Sequence, residues 1–267
     1  MSFQLEQLGP PARLEELNRP RWAGRQRRIG LTGGIASGKS SVARLLAERH
    51  GLPVLDADGF AREALAPGSP GARAVLERYG DKVSPGAEWR PPGEEPGGRP
   101  RPGQAADAGM AIDRAAEEPG GDDHPGSHSV PHDAIDRAAL GRIVFADPAE
   151  RRWLEELVHP LVRQRFTAEL ERLAAAPTVV LMVPLLFEAG LEFLCSEVWL
   201  VDCDEHQQLE RLIERDRLSE AEARARIDAQ WPLARKRKLV ERRIENRGIP
   251  KALEEAVRAA LQGPPEA

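Results

Sequence analysis

The sequence predicts an α/β fold built on a parallel sheet. Short strand-like runs alternate with amphipathic helical stretches from residue 28 onward, a glycine-rich turn joins the first strand to the first helix, and Thr178–Val183 is apolar without alternation. Strand–helix alternation is what parallel strands joined by crossover helices require. A continuous apolar run of strand length is the kind buried on both faces of such a sheet.

Taken in order, residues 1–28 read as a polar leader in which Pro10, Pro11 and Pro20 interrupt any helix and Arg19, Arg21, Arg25, Arg27 and Arg28 form a basic cluster. Arg28–Thr32 is the first strand, running into glycines. Ser41–His50 reads as a helix with Val42, Leu45 and Leu46 on one face and Gly51 as its stop. Pro53–Asp56 is a second strand, followed by a helical stretch through Phe60, Ala61 and Leu65. Gly68-Ser69-Pro70 opens another helix that ends at Tyr79-Gly80. Past residue 133, Leu140, Ile143, Val144 and Phe145 pattern a helix. Pro148–Leu173 patterns a longer one, bent at Pro160, and Val198–Asp202 a further strand. Gln207–Arg217 and Ser219–Gln230 are charged helices rich in Glu and Arg.

Residues 85–131 break this pattern. They hold nine Pro, nine Gly, nine acidic and four basic residues, so the whole net charge of −5 sits in this one stretch and the remaining chain is electrically neutral. Such composition suits a flexible insertion, taken as 85–133. It also repeats Ala111–Ala116 as Ala134–Ala139, the second copy opening a helix. His124, His128 and His132 are spaced as a helical metal stripe, but Pro125, Gly126 and Pro131 forbid the helix. The domain proper is therefore expected at 29–84 and 134–262.

Composition narrows the function. The charge balance argues against a general nucleic-acid binder. No run reaches the ~18 apolar residues of a membrane span, and nothing near Met1 resembles a secretory signal. Two cysteines, Cys195 and Cys203, make neither a disulfide framework nor a zinc site by themselves. The expectation is a soluble cytoplasmic protein, a monomer or weak homo-oligomer. The excess of Arg over Lys reads as base-composition bias.

Gly33-Gly34-Ile35-Ala36-Ser37-Gly38-Lys39-Ser40 matches G-x-x-x-x-G-K-[ST]. Gly33 and Gly38 let the backbone curl so that successive N–H groups face an anion. The helix that follows presents its N-terminus to a phosphate. Lys39 reaches the β- and γ-phosphates, and the Ser40 hydroxyl suits Mg²⁺. The dinucleotide pattern G-x-G-x-x-G is absent, as is the base-reading N-K-x-D of GTPases. Asp56-Ala57-Asp58 ends the second strand, where a carboxylate faces the ligand cleft and can take a proton from an acceptor hydroxyl or help hold the metal; the alternative is helix capping. Arg211, Arg215, Arg217, Arg224 and Arg226 crowd a helical pair, as a phosphate-closing lid requires, or as a solvated face allows. Val198–Asp202 looks like a strand ending in a metal aspartate, but it comes late in the chain, so Asp202 is not read as the ligand.

Together these residues resemble dephospho-CoA kinase. Leu31–Ser40 looks like that family's phosphate loop, Asp56–Asp58 runs on through Ala61-Arg62-Glu63 to Pro67–Pro70, and then come Val144–Pro148, His159-Pro160, Pro184–Glu188, Arg211–Gln230 and Ile244–Gly248. The resemblance implies a P-loop NTPase core with a parallel five-stranded sheet flanked by helices, a helical acceptor-binding region and a lid. It implies transfer of the ATP γ-phosphoryl to the ribose 3′-hydroxyl of dephospho-CoA, with ATP and Mg²⁺ required. Asp58 matches the base, Lys39 and Ser40 the phosphate and Mg²⁺ contacts, and Arg215 the lid arginine. Gly33 to Ser41 would surround the phosphates and Asn246 would lie near the adenine. Arg62, His159, Pro184, Leu185 and Phe187 match the acceptor side, although a histidine in His159's setting is also a common core residue. Val240-Glu241 stands where the family usually has Ala-Asp, and Arg243 where it has an apolar residue. Rival readings are another small P-loop nucleoside or metabolite kinase, and a nucleotide-binding switch or scaffold without turnover.

Overall fold

The computed structural model of the chain describes residues 20–85 and 134–263. The insertion read over 85–133, with its three histidines, lies outside the described residues except for residue 85, as does the leader up to residue 19.

The order is β1 (Arg27–Gly33), α1 (Lys39–His50), β2 (Val54–Asp56), α2 (Ala57–Ala64), α3 (Pro70–Tyr79), a 3₁₀ turn (Gly80–Val83), α4 (Arg137–Ala146) and α5 (Pro148–Arg172). Then come β3 (Thr178–Met182), a second 3₁₀ turn (Glu192–Leu194), β4 (Glu197–Asp202), α6 (Glu205–Asp216), α7 (Glu220–Asp228), α8 (Leu233–Lys236), β5 (Arg242–Glu245) and α9 (Pro250–Gln262). The five strands form one sheet in the order β2-β3-β1-β4-β5, every pairing parallel. In the register, Ile29 lies opposite Val180 on one side and Glu197 on the other, and Leu31 opposite Met182 and Trp199. Because all strands run one way, Gly33, Asp56, Met182, Asp202 and Glu245 all end on the same edge, where α/β sheets bind ligands.

Local chemistry starts and stops the helices. Asp136, Asp147 and Asp204 each accept a backbone N–H at the start of α4, α5 and α6. Ser69 caps α3 ahead of Pro70, and Ser219 with Glu222 forms a reciprocal capping box on α7. The α5 helix runs on through Pro160.

Two apolar layers cover the sheet. On one face Ile29, Leu31, Val180, Trp199 and Ile244 pack against α1 and α9. On the other, Leu55, Val179, Leu181 and Val198 pack against α2, α4 and α5. A third cluster, Ile35 with Leu209, Leu212 and Ala223, joins the turn after β1 to α6 and α7.

The structure corrects the element reading in three places. Neither β5 nor α9 was legible as such, because Arg242-Arg243-Ile244-Glu245 offers one apolar side chain to a strand pattern. Arg242 is nevertheless buried, since its guanidinium is hydrogen-bonded to Glu197 and to the Gly263 carbonyl. The second strand ends at Asp56, and Asp58 lies in the first turn of α2. The end of the polar leader is part of the fold. The Trp22 amide donates to the Cys195 carbonyl at 3.2 Å, and Gln26 Nε2 donates to the carbonyls of Leu173 and Ala176 at 2.7 and 3.0 Å.

Candidate functional site

The turn between β1 and α1 is shaped to receive an anion. Ala36 and Gly38 both have positive φ, 57° and 97°, which turns the intervening amides inward. An added Cβ at Gly38 would lie 2.0 Å from Asn246 Nδ2, so only glycine fits there. Gly38 also caps α1 without a side-chain hydrogen bond, and the first turn of α1 carries no acid, so its N-terminal amides keep their capacity for phosphate. Lys39 is buried, with Nζ 3.2 and 2.8 Å from the carbonyls of Gly33 and Gly34.

Beside this loop lies a cleft of about 400 Å³. Ala36, Gly38, Lys39 and Ser40 line one wall, Asp58 and Pro184 another, and Arg211 and Arg215 with Glu214 a third. Three cations thus face two carboxylates, a balance suited to a polyphosphate. The sequence's two alternatives for the acid pair divide between its members. Asp56 takes the capping role, its Oδ1 accepting the Asp58 amide at 3.0 Å and its Oδ2 pairing with Arg62 at 3.4 Å. Asp58, 9% exposed, is the one that lines the cleft.

The arginine cluster divides in the same way. Arg211 and Arg215, one turn apart on α6, reach the cleft. Arg224 pairs with Glu220, and Arg226 with Asp216 at 3.0 Å. Arg217 ends α6 with a φ of 55°. Arg215 is held bidentate by Asp216 at 2.8 and 3.2 Å, and that hydrogen bonding keeps the Asp216 carboxyl below its usual range. Arg211 donates to the Asn246 carbonyl at 3.2 Å, while its buried Nη1 has no partner. A buried guanidinium N–H left unpaired beside a cleft marks a place for an acceptor group of a ligand.

Asp202 does not face the cleft as a metal ligand would. Its two oxygens accept from Arg237 at 2.8 and 2.9 Å, a fork that raises the guanidinium pKa. Next to it, burial pushes the Cys203 thiol up.

Of the acceptor-side residues, only Pro184 lines the cleft. Leu185 and Phe187 are 4% and 2% exposed, with their side chains in the apolar cluster beneath. Arg62 is engaged with Asp56, and its carbonyl accepts from Arg137 at 3.1 Å. His159 is half-buried on α5, outside the cleft lining. Among the nucleotide-side residues, Ile35 is buried against α6 and α7, Ser37 is buried within the loop, and Ser41 and Asn246 stand beside it. Asn246 braces the loop, its Nδ2 donating to the Ser37 carbonyl at 2.8 Å. Glu241, where the sequence departs from the family pattern, accepts the Val198 amide at 2.7 Å and pairs with Arg21, ahead of β5 and at the opposite end of that strand from Asn246.

A family model described as dephospho-CoA kinase matches residues 27–87 and 129–251, most of the chain and both sides of the insertion. The chain belongs to the dephospho-CoA kinase family. A protein named dephospho-CoA kinase from Synechococcus sp. (strain CC9605) is 54% identical over 242 residues, 91% of this chain and 95% of that one. Among solved structures, a protein from Thermus thermophilus matches with a TM-score of 0.62 at 33% identity, over 89% of this chain and 97% of that one. The dephospho-CoA kinase from Campylobacter jejuni matches with a TM-score of 0.53 at 19% identity, over 90% and 97%, which shows the shared fold. The P-loop kinase architecture and the order of motifs expected of this family are therefore present.

Sequence reading missed residues that stand behind this dephospho-CoA kinase site. Lys236 is wholly buried, its Nζ 2.7 Å from Glu188 Oε1 and 3.4 Å from the Pro184 carbonyl. The same carbonyl accepts the Thr32 hydroxyl at 3.0 Å. Lys236 lies in a charged run, Arg235–Lys238, with no local signal separating the wholly buried cation from its more exposed neighbours. The i, i+4 spacing of Arg211 and Arg215 could have singled out that pair.

Proposed function

We propose that the protein transfers the γ-phosphoryl of ATP to the ribose 3′-hydroxyl of dephospho-CoA, giving coenzyme A and ADP. The observation that carries this reading is the convergence of the phosphate loop, Asp58, and the α6 arginines on one cleft. In it, the loop amides and the α1 N-terminus bind the β-phosphate, and Lys39 exchanges its carbonyl partners for phosphate oxygens. Asp58 accepts the proton of the acceptor hydroxyl as its oxygen attacks in line. Arg215 leaves Asp216 and spreads the charge of the transferring group, so that alignment and electrostatics supply the catalysis. Closure of α6 and α7 excludes water that would otherwise hydrolyse ATP.

Ser40 would hold the magnesium ion. Its exposed hydroxyl opens onto the cleft and has no hydrogen-bond partner among the described residues, and an oxygen donor suits a hard cation. Bound magnesium neutralises charge on the β- and γ-phosphates. Arg62, His159 and the Pro184–Phe187 segment form the acceptor side of this reading, Leu185 and Phe187 by supporting the wall from below. We further infer a cytoplasmic protein, monomeric or weakly self-associating, that works without nucleic acid. Among the described residues no helix is long and apolar enough to cross a membrane.

The test is ADP release with Mg-ATP, with and without dephospho-CoA, using Lys39→Ala as the blank and mass spectrometry of the product. Acceptor-dependent release with an added phosphate on the ribose is expected. Release that ignores the acceptor, or turnover that survives in the blank, refutes the reading.

A further inference from the structure

We propose that Gln230 is a positioning residue that holds the phosphate loop in register with the lid. The proposal deepens the kinase reading and rests on it. Gln230 lies two residues past the end of α7, at the point where the chain leaves the lid. Its Oε1 accepts the backbone N–H of Ile35 at 3.0 Å, inside the phosphate loop and out of solvent. The Ile35 side chain, 1% exposed, sits among Leu209 and Leu212 of α6 and Ala223 of α7. One loop residue is therefore tied to the lid twice, through its side chain and through its amide.

A packing role alone does not account for the choice of residue. Gln230 is 6% exposed, and its Nε2 is buried without a hydrogen-bond partner. Burying an unpaired amide nitrogen is costly, and an apolar side chain would fill the space without that cost. What the glutamine supplies is one oxygen aimed at one loop amide. The other flank of the loop is held in a similar manner, by Asn246 on the Ser37 carbonyl. The residue after Gln230 extends the linkage, because the Trp231 amide donates to Glu188 Oε1 at 3.0 Å, at the end of the Pro184–Glu188 segment. Movement of α6 and α7 is thereby felt by the turn that receives the phosphates, while Arg215 travels on the same lid.

Gln230→Met keeps length and volume and removes the acceptor. Calorimetric ATP affinity is expected to fall about tenfold, the loss of one buried hydrogen bond, with a lower kcat and an unchanged KM for the acceptor. In combination with Arg215→Ala the effects on kcat are expected to be less than multiplicative, because both act through the lid position. Unchanged ATP affinity and kcat, whatever the melting temperature, would overturn the proposal, as would an equal rise in KM for both substrates. If the methionine variant does not fold, Gln230→Asn stays neutral but withdraws the acceptor by one methylene, and it is likewise expected to lose about tenfold in ATP affinity. Unchanged ATP affinity in that folded variant refutes the proposal. ATP affinity is read without any acceptor, so failure of the dephospho-CoA assignment would be seen separately in the turnover assay.

Discussion

Replacing Lys236 by methionine removes one half of the most deeply buried ion pair described here. The Lys236 side chain is 0% exposed and that of Glu188 is 4% exposed, 2.7 Å apart. Methionine matches the lysine stem, so little cavity is made, and the energetic change is the loss of the counter-charge. Glu188 then keeps the Trp231 amide, which donates at 3.0 Å, but holds a carboxylate inside protein. Orphaning one partner of a buried pair costs about 3–5 kcal/mol. For a folded unit of roughly 200 residues, that is a fall in melting temperature of about 6–20 °C. The double variant Lys236→Met/Glu188→Gln removes both charges and preserves an Oε1 for Trp231, so it is expected to regain most of the loss. The assay is thermal and urea unfolding of the wild type, both single variants and the double, read as a thermodynamic cycle. A Lys236→Met variant destabilised by less than about 1 kcal/mol, or a double variant no better than the worse single, would refute the reasoning, because either result means the pair is not dry.

Asp58→Asn is expected to leave calorimetric ATP binding near normal while lowering turnover about 10²-fold or more; near-normal turnover excludes Asp58 as the proton acceptor. Both thiols should resist a disulfide reagent at pH 8 in the folded protein and react after urea unfolding, because burial pushes Cys195 up to about 12 and raises Cys203. Rapid native-state labelling contradicts that burial. Burial raises the Glu197 carboxyl, but hydrogen bonds from Arg27, Trp199 and Arg242 prevail and hold it below the ordinary value of 4.5. Its contribution is present above that unfolded value and is lost as pH falls through the lower folded one. The gap in melting temperature between wild type and Glu197→Gln should therefore shrink between pH 6 and pH 3, and a constant gap sinks the assignment.

The site was legible where chemistry depends on contiguous residues. The run Gly33–Ser40 carries its own geometry, since two glycines and a helix start make an anion cradle wherever a strand precedes them. Asp58 could be paired with it because parallel strands deliver their carboxyl ends to one edge. Asp56 and Asp202 were ambiguous for the same reason: an acid at a strand end looks alike in sequence whether it faces a ligand, caps a helix or pairs with Arg237. Leu185 and Phe187 show the converse, since the turn that follows the cleft residue Pro184 runs straight into the core.

What the sequence by itself determined is the class of fold, the phosphate loop and the family, because these rest on local periodicity and on motifs whose members are adjacent in the chain. The tertiary structure alone decided which carboxylate and which arginines share the cleft, that Arg242 and Lys236 are buried, and that Gln230 meets Ile35, 195 residues away. Those pairings depend on where crossover helices bring distant segments together. A buried charge or amide is recognisable only by the partner it meets there.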